Sequence, residues 1–251
     1  MPLLKSIAVR VSQGSQTLAD PRQARPAGWR GKPVIGDSAC ASGCAACVAA
    51  CPVAAIELAP VRIDLGRCMQ CGDCEPACPQ GLLQFDNDVR IASTTRAGLV
   101  VTAARPSLDP IIVSKALRAR FGRSLKLRSV SAGGCNGCEL EVNALTNVNF
   151  DIGRYGIDIV ASPRHADGLV LTGPISRNMA QALQLCWDAM PEPKLVIAVG
   201  ACAISGGLFA DSPALDRSFV ERFTPSLYVP GCPPHPLTFI SGILDLLGID
   251  S

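Results

Sequence analysis

Two patterns of apolar and polar positions divide the chain. After about residue 123, short apolar runs alternate with stretches of helical period. Leu125–Val130, Ile157–Val160, Gly168–Thr172, Lys194–Val199 and Ser226–Val229 read as strands, and Glu139–Asn147, Ser176–Met190 and Pro236–Leu247 as helices. Strands alternating with helices predict an α/β, flavodoxin-like, doubly wound parallel sheet over 123–251, in which ligands bind beyond the carboxyl ends of the strands. Earlier in the chain the pattern differs. Leu3, Leu4, Ile7 and Val11 share one face of a helix, and Pro21, Pro26 and Pro33 then interrupt regular structure. Residues 1–33 are therefore expected to form an arm that docks on a partner subunit or a membrane surface, the short stripe favouring the partner. Ile56–Leu58 and Val61–Asp64 predict a hairpin around Ala59-Pro60, within a unit spanning 34–92. Pro106 and Pro110 mark a connector at 93–122. It leads into a basic helical run, Lys115, Arg118, Arg120, Arg123, Lys126 and Arg128, expected as a solvated face or one that meets an acidic partner or anionic headgroups.

The cysteines change this picture most. Cys40-x3-Cys44-x2-Cys47-x3-Cys51-Pro52 and Cys68-x2-Cys71-x2-Cys74-x3-Cys78-Pro79 nearly repeat the spacing of an α+β, ferredoxin-like domain holding two 4Fe-4S clusters. Three thiolates on one tight loop hold three corners of a cube, and the cysteine before proline crosses to the other cube. The expected sets are Cys40, Cys44, Cys47 and Cys78, and Cys68, Cys71, Cys74 and Cys51. The first gap holds one residue more than the pattern, and a bulge at Gly43 is expected to absorb it. Paired C-x2-C spacings also make zinc sites, the plainer alternative.

Four further cysteines follow predicted strands: Cys135 and Cys138 after the first, Cys202 after the strand ending near Gly200, and Cys232 after that ending near Pro230. They are expected to converge on one rim of the sheet as the ligands of a third 4Fe-4S cluster. Cys186 lies inside a predicted helix and is expected to be a small apolar packing residue. Glu139 reads as an acid favoured at a helix start or as a proton relay beside the cluster. His165 reads as a structural or interface residue, and His235 as a neighbour of the third cluster or an exposed helix-start histidine.

Composition sets bounds on function. With 251 residues, 48% of them hydrophobic, the chain can bury a large core, while 4% aromatics and a net charge of +2 give no reason to expect a nucleic-acid partner. Thirteen cysteines, an odd number, and a start interrupted by Lys5 and Arg10 predict a chain of the reducing cytoplasm rather than a secreted disulfide scaffold. Its most apolar stretch, Leu195–Ile204, is shorter than the roughly 20 residues of a membrane span.

Gly134-Cys135-Asn136-Gly137-Cys138-Glu139-Leu140-Glu141, Ser162–Asp167, Gly173-Pro174, Gly200-Ala201-Cys202 with Gly206-Gly207, and Val229-Pro230-Gly231-Cys232-Pro233-Pro234 resemble the small subunit of membrane-bound, energy-converting nickel-iron hydrogenases of the formate hydrogenlyase type. That subunit is related to the complex I subunit that holds the terminal iron-sulfur cluster. The resemblance runs from about Ser124 onward, and the part before it, including Trp29–Pro33, resembles the two-cluster ferredoxin subunit of the same complexes. It implies a fusion of two electron-transfer subunits carrying three [4Fe-4S] clusters, with no complete catalytic site of its own. The implied partners are a large catalytic subunit over the third cluster, membrane-embedded subunits, and a further electron-transfer subunit or soluble donor. The implied location is peripheral, on the inner face of the cytoplasmic membrane. Complex I relatives have adjacent cysteines where this chain has Cys135 and Cys138, a spacing that resembles hydrogenases. The alternatives are the same role in a complex without the nickel-iron centre, such as a quinone-reducing one, and a stand-alone iron-sulfur carrier or sensor.

Overall fold

A computed structural model describes residues 2–250, so Met1 of the expected arm and Ser251 lie outside the described residues. The arm opens with helix α1 (Pro2–Gln13), and its apolar side chains Leu3, Leu4, Ile7 and Val11 are all exposed. The ferredoxin-like unit follows as β1 (Pro33–Ile35), α2 (Ala46–Ala50), β2 (Ile56–Glu57), β3 (Arg62–Asp64), α3 (Cys74–Ala77), β4 (Leu83–Phe85) and β5 (Val100–Thr102). β1 pairs antiparallel with β4, and the expected hairpin forms with Ile56 opposite Ile63.

β5 extends this unit beyond its expected end at Ala92. It pairs antiparallel with β3, Ile63 opposite Val101, and so makes a third strand out of residues assigned to the connector. Three residues are too few to show a period, and only the cross-strand partner reveals them as a strand.

The second unit comprises α4 (Lys115–Phe121), β6 (Leu125–Ser131), α5 (Gly137–Ala144), β7 (Ile157–Ile159), β8 (Gly168–Thr172), α6 (Arg177–Asp188), β9 (Leu195–Val199), α7 (Ala201–Ser205), α8 (Ser218–Arg222), β10 (Leu227–Val229) and α9 (Pro236–Leu247). The five strands are all parallel, in the order β10-β9-β8-β6-β7. Numbered from the first strand of this sheet, that is 5-4-3-1-2, the order of doubly wound sheets whose ligand crevice opens between strands one and three. Here those strands are β6 and β8. Leu169, Leu171, Val196 and Ala198 face one core with α6 and α8, while Val170, Leu195, Ile197 and Val199 face another with α4, α5 and α9. Burial on both faces explains why β8 and β9 read as unbroken apolar runs.

The basic run is not one helix. α4 ends at Phe121, and Lys126 and Arg128 lie on β6, alternating with buried Leu125 and Leu127. The two units share one hydrophobic core: Ile63, Leu65, Leu99 and Val101 belong to the same buried cluster as Leu169, Leu171 and Ile204. Ser93 and Tyr228 exchange backbone hydrogen bonds (3.0 and 2.8 Å) and so join the ferredoxin-like unit to the outer strand of the parallel sheet.

Candidate metal centres

Each ferredoxin run is a short helix ended by a cysteine. α2 stops at Cys51 and α3 at Cys78, both in extended backbone (φ −84°, ψ 111° and φ −81°, ψ 107°), since the following proline disfavours another helical residue. Each of these sulfurs then accepts an amide from four residues on: Ala55 N–H donates to Cys51 Sγ (3.2 Å) and Leu82 N–H to Cys78 Sγ (3.3 Å).

Burial, then the nearby thiols of Cys78 and Cys40, push Cys47 up. Burial, together with Cys74, Cys51 and Cys71, pushes Cys68 up to about 12, against an amide hydrogen bond from Gln70 (3.3 Å). Cys51, Cys68, Cys71 and Cys74 line one cavity, walled by Val53, Ile56, Ile63 and Phe85. Cys40 and Cys44 edge an apolar cleft formed with Ile35, Leu58 and Val61. Gly43 stands at φ +73°, and Cys44 N–H closes a turn on Ala41 (3.0 Å), so the additional residue is taken up as a bulge there.

Cys135, Cys138, Cys202 and Cys232 line a cavity at the carboxyl ends of the strands, with Gly134, Gly137, Gly173 and Gly231 in its wall. Helix α5 starts two residues earlier than expected, which places Cys138 in its first turn. Two glycines make room for sulfur. A Cβ on Gly200 would lie 2.5 Å from Cys138 Sγ, and one on Gly207 would lie 2.8 Å from Cys202 Sγ; both glycines have positive φ. Burial, then Glu139 and the other three thiols, drive Cys138 strongly upward, and burial with Cys232 and Cys135 takes Cys202 to about 11. Thiols held so close and so dry favour the neutral form until a cation compensates them.

Cys74 is pushed up to about 11 by burial, by Cys71 and Cys51, and by Cys47 of the other run. Cys232 is raised by burial, by Cys135, and by Cys71 of the ferredoxin-like unit. Gly66 keeps this approach close, for a Cβ there would meet Arg96 at 2.6 Å and Ile204 Cγ2 at 2.9 Å.

These donors fit iron-sulfur chemistry. Among the described residues no three His, Cys, Asp or Glu side chains converge as the shell of a single ion. Cys51, Cys68, Cys71 and Cys74 instead line one cavity, and Cys135, Cys138, Cys202 and Cys232 another. Peptide N–H groups aimed at ligand sulfur are also a means by which proteins tune iron-sulfur potentials.

The other candidates separate by position. Glu139 accepts a hydrogen bond from Thr172 Oγ1 (2.7 Å); burial raises its pKa, but the Ser131 and Thr172 hydroxyls outweigh this and hold the carboxyl below its usual range. His235 is half-buried rather than exposed. Its Nδ1 accepts from Leu237 N–H (3.1 Å) as the N-cap of α9, and its ring meets Trp29 and Phe150 edge-on at 5.2 and 5.8 Å. His165 is exposed on a turn before β8, at the end of the sheet opposite the cysteine rim. Cys186 is partly buried within α6, packs against the shared core beside Arg128, and joins no thiol set. The role of Thr172 was not expected from the sequence, since a hydroxyl ending a strand carries no signal of its own.

Among the described residues no helix is long and apolar enough to cross a membrane. The family described as NADH ubiquinone oxidoreductase, 20 Kd subunit, matches residues 135–246, and a 4Fe-4S dicluster domain matches 39–82. The chain is 38% identical to the probable membrane-bound hydrogenase subunit mbhJ of Pyrococcus furiosus over 49% of its own length and 74% of that protein. It is 39% identical to an NADH-quinone oxidoreductase subunit of Heliobacterium modesticaldum, covering 54% of this chain and 78% of that one. To formate hydrogenlyase subunit 7 of Escherichia coli it is 40% identical, over 53% of this chain and about half (52%) of the relative.

Proposed function

The chain belongs to the family of the NADH ubiquinone oxidoreductase 20 kDa subunit and is an electron-transfer subunit of hydrogenase-like, complex I-related oxidoreductases; from that premise we propose that it holds three [4Fe-4S] clusters. The observation that carries this reading is that Cys51, Cys68, Cys71 and Cys74 line one cavity and Cys135, Cys138, Cys202 and Cys232 another. The ligands are Cys40, Cys44, Cys47 and Cys78; Cys68, Cys71, Cys74 and Cys51; and Cys135, Cys138, Cys202 and Cys232. Clusters held there would supply one-electron redox centres. The chain's own part is to exclude water with the walls of Val53, Ile63 and Phe85, and to aim peptide N–H groups at sulfur.

The third set faces a large catalytic subunit. Cys135 is exposed, and Leu140, Leu208 and Phe209, on the segments that carry or follow Cys138 and Cys202, are 59%, 57% and 50% exposed. Apolar side chains around an exposed ligand suit a face that a partner covers. Exposed Leu3, Leu4, Ile7 and Val11 likewise support docking of the arm on another subunit of a membrane-peripheral assembly on the cytoplasmic side. The Cys135-x2-Cys138 spacing and the hydrogenase relatives favour a nickel-iron partner over a quinone-reducing one.

The anaerobically prepared chain is expected to bind about 12 iron and 12 sulfide, as three cubes of four. Saturation at eight of each would remove the third centre. In the assembled complex, Cys232→Ser should leave two clusters intact yet abolish hydrogen turnover linked to a low-potential dye. Turnover at the wild-type rate would refute the route, and a wild-type complex without nickel or hydrogen activity would refute the hydrogenase partner.

A further inference from the structure

Helix α7 carries Cys202 in a segment of only five residues, too short to hold its own shape. The Cys202 carbonyl accepts the Gly206 amide (2.9 Å), but the carbonyls after it lack partners within the helix, as at any helix end. Arg217, on the segment entering α8, supplies them. Its Nη1 donates to the carbonyls of Pro174 (3.1 Å) and Cys202 (3.0 Å), and its Nη2 to those of Ala203 (2.7 Å) and Ile204 (3.0 Å). One guanidinium thus ties the loop after β8, beside the cysteine rim, to the helix that presents a ligand.

All four oxygens are neutral, so the positive charge is not cancelled by its hydrogen bonds. The adjacent Asp216 carboxylate accepts instead from Ser218 N–H (3.0 Å), and Glu221, which also acts on Arg217 through its charge, is exposed on α8. An arginine does not give up its proton in a protein. A fixed cation has therefore been placed where a cube with four thiolates would carry net negative charge.

We propose that Arg217 is a positioning residue of the third centre with two functions: it locks α7 so that Cys202 keeps its place, and it is the counter-charge that makes reduction of that centre easier. This rests on the reading of Cys135, Cys138, Cys202 and Cys232 as ligands of an iron-sulfur cluster. Lysine at 217 would keep the charge but, as a compact ammonium, could not reproduce the four-carbonyl fork. Glutamine would lose the charge.

The test is an anaerobic redox titration of the full chain followed by paramagnetic resonance, with iron and sulfide counted in each sample. In Arg217→Gln the reduction equilibrium of the third centre is expected to fall about tenfold, about 59 mV for one electron, while the two ferredoxin centres keep their potentials. Arg217→Lys should stay near the wild-type potential and show an altered third-centre signal. Loss of the third centre in the glutamine variant with retention in the lysine variant would also support the counter-charge. An unchanged potential in Arg217→Gln, equal falls in both variants, or loss of the centre from both would overturn it. A wild-type chain that never binds a third cluster would instead defeat the ligand assignment on which the proposal rests.

Discussion

Cys51 and Cys78 occupy equivalent turns, yet their surroundings differ. At Cys78, burial acts upward but is outweighed by amides of Leu82, Gln80, Leu83 and Gly81, so this thiol is held below its usual range. Cys51 lines the enclosed cavity of Cys68, Cys71 and Cys74 and adds its charge to Cys68 and Cys74. Cys51→Ser should therefore change the paramagnetic signal of the cluster on Cys68, Cys71 and Cys74, and Cys78→Ser that of the cluster on Cys40, Cys44 and Cys47. The opposite pairing would show that the two cysteines do not cross. Cys186→Ala should leave every signal as it was, because that sulfur reaches no other thiol.

Among the elements, the arm departs most from an independent domain. After α1 it runs over the second unit, where Leu18 N–H donates to Asn149 (3.0 Å) and Thr17 Oγ1 to Val148 (2.8 Å), and then over the first, where Gly31 N–H donates to Asp86 (2.7 Å). Arg22 pins its middle: Nε pairs with Asp245 at 2.6 Å, and Nη2 donates to the carbonyl of Ile249 at 2.8 Å. Both members of the ion pair are partly exposed, so solvent screening limits the pair to about 1 kcal/mol or less. Arg22→Ala is accordingly expected to lower global stability only slightly while making residues 14–30 cleavable by protease well before the core. Equal protection of the arm in the variant and the wild type would mean that Pro21, Pro26 and the backbone bonds hold it unaided.

For the molecule as a whole, the shared core matters more than the domain boundary. Ile63, Leu99 and Val101 of one unit are buried together with Leu169, Leu171 and Ile204 of the other, so neither unit can open without exposing apolar surface of its neighbour. The metal-free chain should unfold in a single transition, and two separated transitions by circular dichroism would contradict this. Its pH dependence has a definite sign. Cys68, Cys74 and Cys202 are raised in the fold from 9.0 to about 12, 11 and 11, so between those values the unfolded chain binds fewer protons than the native one. Their contribution is complete below pH 9 and is lost as pH climbs toward 11 to 12. Denaturant midpoints of the metal-free chain should fall from pH 8 to pH 10.5, and a flat profile would show that these thiols are not held neutral.

Cysteine spacing and strand-helix alternation were enough to determine the two units, the twelve ligand candidates and the rim on which four of them meet, because a cluster loop and a βα turn are both local and their residues lie within a few positions of one another. Three things depended on contacts between residues far apart in the chain. β5 is a strand only because β3 lies beside it, and the basic run divides between α4 and β6 because Leu125 and Leu127 are buried by the sheet. Arg217 reads in sequence as one more surface charge, and only folding brings it to the carbonyls of α7, fifteen residues back for Cys202.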